Sequence, residues 1–318
     1  MARVPVIDLS AGTDAAAIDA ACRDIGFLVV AGHGVPLDLV ERMQAVSAAF
    51  FRLPPAEKRR LQVVRGRIHG WTGPRQSYLA DTLAPGVERA ADWKEGFSIG
   101  PVDTPPDLTA EEAPYFGRNL WPERPDEFAE TWKDYYRAME RLARDLMEAF
   151  ARALGLSHDY FDSRIDRHIT GLSAHHYPPQ PVAAESGQLR AGAHTDFGSL
   201  TILHTGDNPG GLQVRGGDGA WHDVGAAADC FVVNIGDLMA QWTNDRWVST
   251  LHRVLNPPRE RAHLPRQSIA FFHQPNWHTV VECLPGCASA DNPPRHGPVT
   301  SGAHFERKLA LLRGADAG

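Results

Sequence analysis

Apolar and polar positions follow two different rhythms along this chain, and the change falls near residue 169. Before it, most apolar residues recur at helical spacing. Residues 4–9 alternate and predict a strand, and the alanine-rich stretch 14–25 predicts a helix closing at Gly26. Gly26 to Val30 then predicts a short buried strand. From Pro36 to Phe51, Leu39, Met43, Val46 and Phe50 share one helical face, with Pro36 suited to the first turn and Pro54-Pro55 as a stop. This βαβα opening lacks the Gly-x-Gly-x-x-Gly turn of a dinucleotide-binding unit. Residues 65–105 read as loop, with Trp71, Tyr78, Trp93 and Phe97 among glycines and prolines. The clearest helix runs over 126–154, where Phe128, Trp132, Tyr135, Met139, Leu142, Leu146 and Phe150 form one apolar stripe and Gly155 suits the position after its end. Such a stripe is core packing, so this helix is expected to buttress the rest.

After residue 169 the rhythm shortens to strands punctuated by turns, the sign of a sandwich or barrel. Strands are predicted at 169–177, 191–197, 200–204, 212–214, 221–223, 231–235, 251–255 and 266–273. Asn208-Pro209-Gly210-Gly211, Gly216-Gly217-Asp218-Gly219 and Gly236-Asp237 supply the turns. A last helix over 301–313 would carry Phe305, Leu309 and Leu312 on its apolar face. The expected fold is mostly β with flanking helices: a double-stranded β-helix (jelly roll) core, an N-terminal α/β region and the buttressing helix. The expected organisation is residues 1–120 as that α/β region and 121–318 as the long helix plus the double-stranded β-helix core, in one integrated unit.

Composition narrows the partners. With 318 residues, 43% of them hydrophobic, the chain can bury a sizeable core. A formal charge of −7 disfavours nucleic acid and anionic membrane as partners, since both need a basic face. Met1-Ala2-Arg3-Val4-Pro5 shows no signal-peptide pattern, and there is no 18-residue apolar run. A cytoplasmic protein of undetermined oligomeric state is expected. Cys22, Cys230, Cys283 and Cys287 read as free thiols; Cys283 and Cys287 lack the second pair that a zinc site needs.

The chemistry is concentrated in Ala193-His194-Thr195-Asp196-Phe197. On a strand, His194 and Asp196 point to the same side. With 15 His and 39 Asp plus Glu, chance alone gives about two His-x-carboxylate pairs, so the pair needs its context. Ser249-Thr250-Leu251-His252-Arg253-Val254 adds a second histidine in a strand-like setting. Two histidines and a carboxylate with other positions open are the facial triad of non-haem Fe(II) oxygenases. Further on, Arg266-Gln267-Ser268-Ile269-Ala270-Phe271-Phe272 places Arg266, Ser268, Ala270 and Phe272 on one face. The planar donor fork of Arg266 with the Ser268 hydroxyl is a clamp for a carboxylate.

These fragments occur in a fixed order with others: Val4-Pro5-Val6-Ile7-Asp8-Leu9, Gly26-Phe27-Leu28-Val29-Val30, Gly32-His33-Gly34-Val35, Tyr177-Pro178-Pro179, Gly210-Gly211-Leu212-Gln213-Val214, Asn234-Ile235-Gly236-Asp237 and Thr243-Asn244. Together they resemble the isopenicillin N synthase-like iron(II)/2-oxoglutarate-dependent oxygenases over nearly the whole chain. The resemblance implies Fe(II) on His194, Asp196 and His252, and 2-oxoglutarate chelating the metal with its far carboxylate on Arg266 and Ser268. It further implies O2 as oxidant, release of succinate and CO2, and a small-molecule substrate that is hydroxylated by default. Matching strand positions suggest Phe197, Val254 and Phe272 as apolar lining for that substrate, and Lys94 to Pro101 looks like one branch of the family. Many relatives carry Asn two residues before the Tyr of Tyr-Pro; here His175 stands there and Tyr177 is kept. His175 and Tyr177 are therefore expected to face the co-substrate, and a titrating His175 would make its affinity depend on pH near neutrality. Three other readings stay open: a facial-triad oxidase that needs no 2-oxoglutarate, a non-catalytic binding protein on the same barrel, and a zinc hydrolase, which lacks an evident general base.

Overall fold

The computed structural model describes residues 4–12, 14–64, 68–83, 90–180, 182, 184–206 and 210–313. Met1, Ala2 and Arg3, residues 65–67 and 84–89 of the expected loop region, and Asn208 and Pro209 of the expected turn lie outside the described residues.

The first third holds β1 (Val6–Asp8), α1 (Ala15–Asp24), β2 (Phe27–Ala31), α2 (Leu37–Phe51), α3 (Pro55–Arg59), β3 (Gly70–Thr72) and β4 (Glu95–Ile99). The middle holds α4 (Phe128–Ala153) and α5 (Asp162–Ile165). Strands then dominate: β5 (Gly171–Tyr177), β6 (Ala191–His194), β7 (Leu200–His204), β8 (Leu212–Arg215), β9 (Trp221–Asp223) and β10 (Phe231–Ile235). After α6 (Asp237–Trp242) come β11 (His252–Val254), β12 (Arg266–His273), β13 (Val280–Val281), β14 (Val299–Thr300) and α7 (Ser301–Arg313).

Two sheets form the jelly-roll core. The large one runs β1-β2-β10-β7-β12-β5-β4-β3, and the small one β6-β11-β8-β9. One face of the large sheet presents Leu28, Ile202, Val233, Ile269 and Phe271 to α1, α2 and α4. Its other face presents Phe27, Val29 and Val232 to Leu212, Val214 and Val254 of the small sheet. The central strands β2, β7 and β10 are buried on both sides, which is why they read as apolar runs rather than clean alternations. The predicted stripe of α4 is buried throughout; Phe97 packs edge-on against Trp132 and Phe128, which locks β4 to that helix.

Three features differ from the sequence reading. Residues 65–105 are not all loop, since β3 and β4 close one edge of the large sheet. The strand expected at 191–197 stops at His194, so Asp196 sits in the following turn. The turn expected at Gly236-Asp237 opens a short helix, α6. The reason for the early stop is packing at Gly198 and Gly236. A Cβ on Gly198 would lie 2.0 Å from the His273 carbonyl oxygen, and one on Gly236 2.2 Å from that of Gly198. Backbone approaches this close require glycine and pull the chain out of the β6 ladder. No helix among the described residues is long and apolar enough to cross a membrane.

Candidate metal centre and co-substrate cleft

His194 and His252 sit directly opposite each other on the antiparallel pair β6–β11, which brings their rings to 4.3 Å between centroids. Each ring is held by the backbone carbonyl two residues earlier. His194 Nδ1 lies 2.8 Å from Gly192 O, and His252 Nδ1 lies 3.1 Å from Thr250 O. A carbonyl can only accept, so Nδ1 carries the hydrogen in both rings and Nε2 presents a lone pair. The two Nε2 atoms converge on Asp196 Oδ1, at 3.8 and 3.7 Å. Those separations are too long for hydrogen bonds. The other carboxylate oxygen, Oδ2, is engaged by the Thr201 hydroxyl at 2.7 Å and the Asn234 amide at 2.8 Å. One ligand atom from each of the three residues lies within 4.8 Å of the others, and these residues form the single such cluster among the described ones.

Electrostatics agrees with a cation at that point. Burial pushes the His194 imidazole down to about 3, helped by His252, so its lone pair stays available. Burial would raise the Asp196 carboxyl, but His252, His194 and the hydrogen bonds from Asn234 and Thr201 outweigh it and hold the group below its usual range. Two lone pairs and an anion aimed at one buried point suit a divalent metal that takes imidazole and carboxylate ligands. Outer partners that fix ligand orientation, as Gly192, Thr250, Thr201 and Asn234 do, belong to such sites.

The clamp residues lie across the same cleft. In the β5–β12 register, Arg266 opposes Tyr177 and Ser268 opposes His175. Arg266 is 2% exposed, with Nη1 3.2 Å from Ser268 Oγ and its guanidinium carbon 4.8 Å from the Tyr177 ring centre. Its buried Nε has no hydrogen-bond partner; the Tyr177 side chain bonds the guanidinium, and among the described residues no carboxylate does. A buried guanidinium in that condition calls for an anion from outside the chain. The three metal-site residues, Arg266, Ser268, Tyr177, His175, Phe197, Val254 and Phe272 all line one cavity of about 330 Å3.

His175 therefore faces inward, while His176 turns to the opposite side and stacks on Phe51 at 5.2 Å. The expected titration of His175 near neutrality does not hold. Burial, then the charges of Lys94, Arg266 and His194, keep its imidazole well below the ordinary range, so it is neutral throughout the physiological interval. His33 stands outside the cleft in a structural role: its Nε2 bonds the Asp229 carbonyl and its Nδ1 accepts from the Val35 amide. The sequence reading gives no role to Thr201 or Asn234. A lone Asn inside the apolar run Phe231-Val232-Val233-Asn234-Ile235 is the available signal, because a buried amide needs a partner.

A jelly roll whose open end gathers two histidines, a carboxylate and a buried anion clamp defines a non-haem metal oxygenase. Comparison with known proteins makes this specific. Residues 4–124 match the model of the non-haem dioxygenase N-terminal region, described from morphine synthesis, and residues 169–275 match the 2OG-Fe(II) oxygenase superfamily. The chain is 35% identical over 280 residues to the validamycin A dioxygenase of Streptomyces hygroscopicus subsp. limoneus, covering 85% of this chain and 76% of that protein. It is 33% identical over 317 residues to the 2-oxoglutarate-Fe(II) type oxidoreductase hxnY of Emericella nidulans, covering 93% and 86%. Among solved structures, a full-length Neurospora crassa protein in complex with alpha-KG and thymine superposes with a TM-score of 0.84 at 30% identity, covering 96% of both chains. The chain belongs to the 2-oxoglutarate–Fe(II) oxygenase family. It is a dioxygenase that uses Fe(II), 2-oxoglutarate and O2.

Proposed function

We propose that His194 and His252 through Nε2, and Asp196 through Oδ1, hold the iron. Arg266 and Ser268, with Tyr177 and His175 beside them, hold the far carboxylate of 2-oxoglutarate. The observation that carries this reading is the convergence of three ligand atoms within 4.8 Å, across the cleft from a buried arginine that has no carboxylate partner among the described residues. When bound, the iron supplies the oxidising chemistry in which 2-oxoglutarate leaves as succinate and CO2 and a substrate C–H bond is hydroxylated. The chain's own residues orient and enclose. Thr201 and Asn234 hold Asp196 in place, Gly192 and Thr250 set the histidine tautomers, and the neutral His175 offers a hydrogen bond beside Ser268 without adding charge.

Phe197, Val254 and Phe272 are proposed as apolar walls for a small-molecule substrate; the cavity volume suits one, being near the low end of the usual range for ligand sites. Residues 1–120 and 121–318 are proposed to act as one unit, which is supported by β2 pairing directly with β10 inside the large sheet. A cytoplasmic setting is part of the same proposal, supported by four free thiols. Anaerobic titration with Fe(II) and 2-oxoglutarate is the test of the metal site. A visible charge-transfer band is expected in the native chain and its loss in His252→Ala. A band of undiminished strength in that variant rules the ligand assignment out.

A further inference from the structure

Lys94 is a cation that the metal and co-substrate scheme leaves unused. It stands one residue before β4 and two before Gly96, which pairs with His175. Strand alternation therefore puts Lys94, Gly96 and Ser98 on the cavity side, while Phe97 and Ile99 point into the helix-facing core. Lys94 lines the cavity and is 7% exposed. Among the described residues its ammonium has no hydrogen-bond or ion-pair partner. Its neighbour Glu95 faces the other way and is already neutralised by Lys58 at 2.7 Å and bonded by the Trp71 indole at 2.8 Å. Asp92, the other acid close by in sequence, accepts from the Leu79 and Gly192 amides and the Ser77 hydroxyl and feels the Lys94 charge, but no hydrogen bond or ion pair joins its carboxylate to the ammonium.

A buried ammonium with no group in direct contact is a poor resting arrangement, because hydrogen bonds lost to burial are not replaced. The β4–β5 register sets Lys94 beside the strand that carries His175, and its field reaches both His175 and His194. The co-substrate does not supply the missing partner, because one of its carboxylates goes to the metal and the other to Arg266. The same cavity has apolar lining from Phe197, Leu79, Phe305, Leu309 and Leu312, beside the neutral polar side chains of Thr72, Ser77 and Thr195.

Resting on the site assignment above, we propose that Lys94 binds the anionic group of the primary substrate, and that this substrate is a small carboxylate with an apolar body. The carboxylate pairs with Nζ, the apolar part lies against Phe197 and α7, and a carbon between the two faces the metal centre. This commits the enzyme to acids over their neutral analogues.

The test uses the native Fe(II)–2-oxoglutarate enzyme, held anaerobically, and a panel of matched probes: phenylacetate, 3-phenylpropionate and cyclohexanecarboxylate, each beside its carboxamide. Binding is read from the change in the visible charge-transfer band, and succinate release in air is the second readout. At least one acid should bind roughly tenfold to a hundredfold tighter than its amide, as a charge-assisted contact gives. In Lys94→Met that preference should fall to about twofold or less, and Lys94→Arg should keep part of it. The band formed with Fe(II) and 2-oxoglutarate alone should be unchanged in Lys94→Met, which also shows that the variant folds. A panel in which no acid outbinds its amide, or a preference that survives in Lys94→Met, overturns the proposal. So does a raised 2-oxoglutarate requirement in Lys94→Met, since Lys94 would then serve the co-substrate. Failure of the native enzyme to form the band at all would instead strike the metal-site assignment.

Discussion

At the scale of single residues, the site is built from pairs in which one side chain acts and another decides which of its atoms acts. Asp196 would be ambiguous without Thr201 and Asn234, which occupy Oδ2 and leave Oδ1 for the metal. Arg266 is the opposite case: its Nε is buried with nothing to bind. Supplying the carboxylate restores a pair whose loss, when one partner is removed, costs about 3–5 kcal/mol. Arg266→Gln should therefore raise the 2-oxoglutarate concentration needed for the charge-transfer band by more than about a hundredfold, with iron binding retained. An unchanged requirement would make Arg266 structural. The acting residues are legible in the sequence: strand periodicity gathers Arg266 with Ser268, and His194 with Asp196 stands out as a two-residue motif although Asp196 lies in the turn after β6 and not on the strand. The deciding residues are not, because Gly192 and Thr250 contribute only carbonyls and Asn234 reaches Asp196 from a strand 38 residues away. Lys94 is hidden for a related reason: in sequence it sits beside Asp92 and Glu95 and looks like half of a surface ion pair.

At the scale of elements, the long periodic segments are the readable ones. The α4 stripe and the runs of β10 and β12 announce themselves because each buries a face over many residues. β3 and β4 do not, since three- and five-residue strands among glycines and prolines carry too few alternations, and the pairing of β4 with β5 is long-range. The turn between β6 and β7 reads as strand because its cause, the crowding of Gly198 and Gly236 against neighbouring backbone, is tertiary. Two substitutions separate these roles. Gly198→Ala would force a methyl to 2.0 Å from the His273 carbonyl, so the turn must move and carry Asp196 with it. Iron affinity should fall along with stability, measured by chelator competition and urea unfolding. Trp132→Ala, in the core of α4, should cost about 3–5 kcal/mol of stability and leave iron affinity in the folded fraction unchanged. Equal losses of iron affinity in both variants would contradict the assignment of the turn as the element that places Asp196.

At the scale of the whole molecule, one large sheet serves two layers: helices cover one face and supply bulk, while the small sheet covers the other and leaves the cleft at its end. Enclosing so many histidines between these layers has a consequence for acid stability. Burial, with His168 nearby, holds the His273 imidazole well below its ordinary range, and burial pushes the half-buried His69, packed against Gly100 and Gly171, down to about 4. In the unfolded chain both groups take up a proton near pH 6.5. Between that value and the lower native one, the unfolded state binds more protons, so stability rises with pH. The contribution of His69 is thus fully present above about pH 6.5 and is lost progressively as the pH falls toward about 4. Each such group adds up to about 1.4 kcal/mol per pH unit to the slope. Urea unfolding of the metal-free protein should give a flat stability near neutrality and a decline that begins close to pH 6.5, above the range where carboxylates alone would act. His69→Gln, which removes one titrating group and keeps a side chain of similar reach, should make that decline shallower by up to one proton's worth between pH 6 and 4.5. Identical slopes in the two proteins would mean that His69 exchanges protons as freely in the folded chain as in the unfolded one, and that the layers do not enclose it.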